Sequence, residues 1–121
     1  MGEILYENPL SCAADLEGFR AEGSLRMSFD EGCLRLDSVR SPEDGQAANY
    51  VLWCPVEFPD HIRISWKFRP LSQPGLAMIW FSATACSGGS IFDPSLNTRE
   101  GLYPQYHHGD INAYHLSDFR R

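Results

Sequence analysis

At 121 residues, 43% hydrophobic and 12% aromatic, the chain has room for one packed domain and is too apolar for a disordered segment. Its net charge of −6, with Lys67 the only lysine, offers little to a phosphate backbone, which argues against nucleic acid as a partner. No apolar run approaches a membrane span, and Met1 to Tyr6 has no basic region ahead of an apolar stretch, so the expected location is the cytoplasm.

Ile4-Leu5-Tyr6 is a short apolar start that Glu7-Asn8-Pro9 breaks. Ser11 to Gly18 has room for one or two helical turns, with Ser11 placed to cap them and Gly18 to end them. Ser24 to Phe29 and Cys33 to Ser38 alternate about Asp30-Glu31-Gly32, which predicts a hairpin with Gly32 supplying a positive φ. Ser41 to Gln46 is a polar loop, and Ala47 to Trp53 reads as a strand closed by Cys54-Pro55. Ile62 to Arg69 carries the clearest alternation, four apolar residues against four polar ones, and predicts a strand with one wet face. Within it Trp66, in phase with Ile62, Ile64 and Phe68, is expected in the core. Pro70 to Gly75 breaks that strand. Leu76 to Ala83 is a continuous apolar run that suits a strand covered on both faces. Ile91 to Arg99 is irregular, and Ala113 to Phe119 predicts a last strand. About seven short strands, with turn signals between them and almost no helix, point to an antiparallel sandwich or jelly roll.

Cys12, Cys33, Cys54 and Cys86 are unevenly spaced with no C-x-x-C pair, so they read as reduced, buried thiols rather than as a zinc or redox motif. The chemistry concentrates instead in Tyr103 to His115, which holds three of the four histidines together with tyrosines, Gln105, Asp110 and Asn112. If extended, this stretch sets Tyr106, His108, Asp110, Asn112 and Tyr114 on one face and His107, Ile111, Ala113 and His115 on the other. Gly109 is the residue able to reset that parity with a bulge or turn. The plainer reading is a loop of solvated histidines, and for any one of them it is the better reading. For the cluster a ligand-facing role is favoured.

Metal ligation is the weakest use of these residues. His107, His108, Asp110 and His115 are suitable types, but no H-x-H or H-E-x-x-H spacing is present, and adjacent histidines on a strand point apart. Sugar recognition fits better. Trp53, Trp66, Trp80, Tyr103, Tyr106 and Tyr114 offer flat amphipathic surfaces, and Gln105, Asp110 and Asn112 can bond hydroxyls. Glycosidase chemistry of the usual kind needs paired carboxylates, and only Asp93 and Asp110 lie in this region. A histidine–tyrosine pair could instead serve lyase-type proton abstraction, with Asn112 or Gln105 polarising a carboxyl group.

Leu5-Tyr6-Glu7-Asn8-Pro9-Leu10, Glu43 to Asn49, Trp53-Cys54-Pro55, Phe92 to Leu96 and Gln105 to Ala113 together resemble the bacterial YesU-like family of unknown function. The resemblance runs over essentially the whole chain. It implies a concanavalin-A-like β-sandwich, the fold of many lectins and glucanases, in a setting of plant cell-wall polysaccharide use, pectin-derived sugars especially. It brings no catalytic residues with it. Members of that family run past Arg121 with further strands, so residues 1–121 are expected to be one β-sandwich domain that continues beyond its C-terminal end.

The expected function is therefore a carbohydrate-active protein working on pectin-type oligosaccharides, a hydrolase or lyase acting through Tyr106 to His115. His107, His108, Asp110 and Tyr114 take the catalytic roles, while Trp80, Gln105, Tyr106, Asn112 and His115 hold the substrate. The alternative is a non-catalytic, lectin-like binding module. No cofactor or metal is expected. The expected partner is an oligosaccharide, with neither nucleic acid nor membrane involved.

Overall fold

The computed structural model of the chain describes residues 2–71 and 76–120, and the side chains of these except Leu76 and residues 118–120. The chain divides into two compact units, Met1–Ile62 with Arg99–Leu102, and Arg63–Thr98 with Tyr103–Arg121. All strand pairing among the described residues is antiparallel and two-stranded.

In the first unit, β1 (Arg20–Gly23) pairs with β4 (Tyr50–Trp53), and β2 (Leu25–Asp30) pairs with β3 (Cys33–Ser38). The predicted hairpin forms as its turn chemistry requires. Asp30 faces Cys33, and the two residues between them, Glu31 and Gly32, have φ of 51° and 76°. Two successive positive φ values make a turn whose twist matches the strands it joins. Ser24 ties the two ribbons of this unit, its amide donating to the Asn49 carbonyl at 3.1 Å and its hydroxyl to the Ala47 carbonyl at 2.8 Å.

The free cysteines, expected to be buried, are exposed at Cys12, Cys33 and Cys86 and half-buried at Cys54, and two local expectations shift. The 3-10 turn at Ala13–Leu16 is held by Asp15, whose carboxylate accepts from the amides of Ser11 (2.9 Å) and Cys12 (3.2 Å), and not by a Ser11 cap. Gly18 does leave the helical region, at φ 83°. The strand expected from Ala47 begins at Tyr50, because Ser41 caps a 3-10 stretch over Pro42–Ala48, accepting from the Glu43 amide at 3.3 Å.

A half-buried ionic cluster organises the first unit. Glu22 accepts from the Trp53 indole N–H at 2.9 Å and from both Nε (3.1 Å) and Nη2 (2.8 Å) of Arg99. The Arg99 and Glu22 side chains are only 7% and 14% exposed. The pairing fixes residue 99 against β1 although 77 positions separate the two in sequence. Close by, the backbone at Gly23, Asn49 and Gly101 crosses so tightly that a Cβ at Gly23 would lie 2.6 Å from the carbonyl oxygens of both Asn49 and Glu100. Only glycine fits there.

The second unit is built on β5 (Leu76–Ala85) paired with β6 (Ile111–Arg120), with α1 (Tyr103–His107) leading into β6. Both strands outrun their predicted limits, with Ile111 and Asn112 joining β6 because they pair with Ala85 and Thr84. The predicted strand at Ile62–Arg69 is not formed: among the described residues this segment joins no ladder. Trp66, expected in the core, is 45% exposed, with Ile64 and Phe68 at 46% each. Alternation equips a segment to be a strand, but a strand also needs an edge to pair with. The break expected over Pro70 to Gly75 lies partly outside the described residues.

Candidate functional site

The histidine stretch is not extended. Tyr103-Pro104-Gln105-Tyr106-His107 forms α1, and the His108 amide donates to the Pro104 carbonyl at 2.8 Å to close its last turn. Proline belongs in the first turn of a helix, where its missing N–H costs nothing. The chain then bends over His108 to Asp110 and enters β6 at Ile111. The parity expected across the whole stretch is therefore replaced: helical spacing up to His107, strand alternation from Ile111, and a reset at Gly109 between them.

That geometry gathers rings on one face of the β5–β6 ribbon. Trp80 sits opposite His115 in the register, with ring centroids 4.8 Å apart. Two α1 rings close on the same indole, Tyr106 at 5.8 Å and Tyr103 at 6.5 Å. Tyr103 also lies 5.2 Å from His107, one helical turn on, and 6.4 Å from His115 in an edge-on arrangement. Tyr106 is buried, Trp80 and Tyr103 are half-buried, and His107 and His115 are exposed. The result is a nest of aromatic faces with polar ring edges at its rim.

His107 and His108 stack at 4.5 Å, 18° from parallel, with their Nδ1 atoms 3.0 Å apart. A hydrogen bond across that gap forms only when one ring donates and the other accepts. Tyr114 lies elsewhere. It faces Phe81 across the opposite side of the ribbon, stacked at 5.8 Å and 25°, and is strongly exposed.

The remaining candidates are engaged in holding loops. Asp110 accepts from the Asn97 amide at 2.7 Å and from its side-chain amide at 3.1 Å. Asp93, the other nearby acid, accepts from the Ser95 amide (2.9 Å) and hydroxyl (2.8 Å), and the amide bond most of all holds its carboxyl below the usual range. Gln105 donates to the Thr98 carbonyl at 3.4 Å, and Asn112 accepts from the Cys86 thiol at 3.6 Å. From the sequence Asp110 was expected in catalysis and Gln105 and Asn112 at the ligand, and the structure gives each a partner within its own unit. Sequence reasoning also underweighted Tyr103, whose i,i+4 relation to His107 appears only once the segment is helical. Among the described residues no three His, Cys, Asp or Glu side chains converge to hold a metal ion.

The chain can be set beside known proteins. It is 48% identical over 120 residues to the uncharacterised protein YesU of Bacillus subtilis (strain 168), covering 99% of this chain and 52% of that protein. A crystal structure from Bacillus subtilis, described as a protein of unknown function with a galectin-like fold, superposes with a TM-score of 0.89 at 46% identity, again over 99% of this chain and 52% of the other. The chain thus spans about half the length of the relatives it matches. The expected all-β, antiparallel sandwich class is borne out by that superposition, and its type is galectin-like. The expected likeness to YesU is borne out as well, and because a family model matches residues 3–121, the chain belongs to the DUF1961 family, a domain of unknown function.

Proposed function

We propose that the chain recognises a carbohydrate through the nest of Trp80, Tyr103, Tyr106, His107 and His115, as a lectin-like module of concanavalin-A-like type. The observation that carries this reading is the pairing of half-buried ring faces with exposed imidazole edges, the combination a pyranose ring and its hydroxyls require. Plant cell-wall oligosaccharides of the pectin type are the finer assignment, carried over from the family resemblance. Asp93 and Asp110, each spent on loop amides, leave a two-carboxylate hydrolase with little support.

A catalytic reading is favoured by one observation, the 3.0 Å contact between His107 and His108, which suits proton transfer at a bound sugar in a hydrolase or lyase. In that reading Asp110 and Tyr114 lose their proposed catalytic places to the histidine pair. Incubation of this chain and of a full-length relative with pectin-derived and neutral oligosaccharides separates the two, with binding read by calorimetry and products by mass spectrometry. Retention without new products supports the module, cleavage moves the assignment to an enzyme, and neither outcome in both proteins removes carbohydrate from the account.

A further inference from the structure

The face of the β5–β6 ribbon away from the aromatic nest is apolar and bare. Ile79 pairs with Leu116 and Phe81 with Tyr114, so these four side chains form a two-by-two block on that face. Phe81, Tyr114 and Leu116 are 39%, 68% and 55% exposed. A sheet with rings on both faces is built to be covered on both. In the same unit, Ile64, Trp66 and Phe68 repeat every second residue and are also exposed, in a segment that joins no ladder among the described residues. Apolar surface of this extent marks a docking site.

The occupant follows from length. Family relatives carry about as much chain again as these 121 residues, yet the solved one follows this chain closely over 99% of its length. The chain present here therefore matches one part of a galectin-like protein, and the longer proteins carry further chain that it does not match. We infer that the Ile79, Phe81, Tyr114 and Leu116 face, with the Ile64–Phe68 segment, seats a β-sheet contributed by chain outside these 121 residues. Tyr114 then belongs to the sandwich interior, and only the Trp80–His115 face is left to ligand. Alternation in Ile62–Arg69 is the mark of a strand whose partner lies in that added sheet, with Arg63, Lys67 and Arg69 on its wet side.

Hydroxyl-radical footprinting tests this on two proteins: the 121-residue chain alone, and the chain joined to the part of the Bacillus subtilis relative that it does not match. In the joined protein, labelling of Phe81, Tyr114, Leu116 and Trp66 should fall by about fivefold or more, since 39–68% exposure would drop to the 2–8% of the core side chains. The joined protein should sediment as a monomer. Unchanged labelling in a folded joined protein overturns the inference. So does a dimer of the short chain alone that shows the same protection, since a second copy is then the occupant. If the joined protein does not fold, the footprint is taken on the full-length relative at the aligned positions, where protection supports the inference and exposure overturns it.

Discussion

At the residue scale, Gly23 is the position least able to change. Its φ is 86°, and a Cβ there would meet two backbone carbonyls that cannot swing aside. Gly23→Ala is expected to lower stability by about 1–3 kcal/mol, read as a fall in melting temperature. A variant melting with the wild type would mean that the Gly23–Asn49–Gly101 crossing is looser than drawn. Asp15 makes a smaller and pH-dependent contribution. The Ser11 amide above all, then the Ser11 hydroxyl and the Cys12 groups, lower its folded pKa below its unfolded value. That contribution is fully present above the ordinary carboxylate range and is lost as pH falls through the depressed folded value. Asp15→Asn should therefore flatten the acid side of the stability profile between those two points and leave the neutral side parallel to wild type. Parallel curves throughout the acid range would contradict it.

At the scale of elements, Asp110 shows how a residue that looks chemical can be architectural. Two bonds from Asn97 converge on its carboxylate, anchoring the loop ahead of α1 to the start of β6. Asp110→Ala should cost about 0.5–1.5 kcal/mol in thermal stability by removing the two bonds that anchor Asn97, whose exposed donors then turn to water. His108→Ala, on an exposed ring, should melt near wild type, so a reversed order of the two would return Asp110 to the ligand site. The hairpin was legible in the sequence because Glu31-Gly32 and the alternation around it are local signals that agree. The β5 strand was legible because eight consecutive apolar or small residues leave few other choices. The α1 helix was not, since Tyr103 to His107 is a single turn whose evidence lies in its packing against Trp80. Nor was the unpaired state of Ile62–Arg69, because alternation encodes a face and not the presence of a neighbour. The histidine cluster was visible as composition, but its division among nest, rim and opposite face depended on the turn at Gly109.

At the scale of the whole molecule, the two faces of β5–β6 carry different tasks. One holds Trp80 and His115 against α1, and the other presents Phe81 and Tyr114. The long-range Glu22–Arg99 pair in the first unit was invisible in sequence, because nothing local connects residues so far apart, yet it fixes Arg99 against β1. Recognition of a sugar by the nest is the central claim, and residue-resolved amide NMR of the isotope-labelled chain during titration with plant cell-wall oligosaccharides tests it most directly. Saturable shifts should map to Tyr103 to His108, His115 and the Trp80 indole, with Tyr114 and Phe81 changing little. Saturable shifts confined to Phe81, Tyr114 and Leu116, or none at any oligosaccharide concentration, would contradict it.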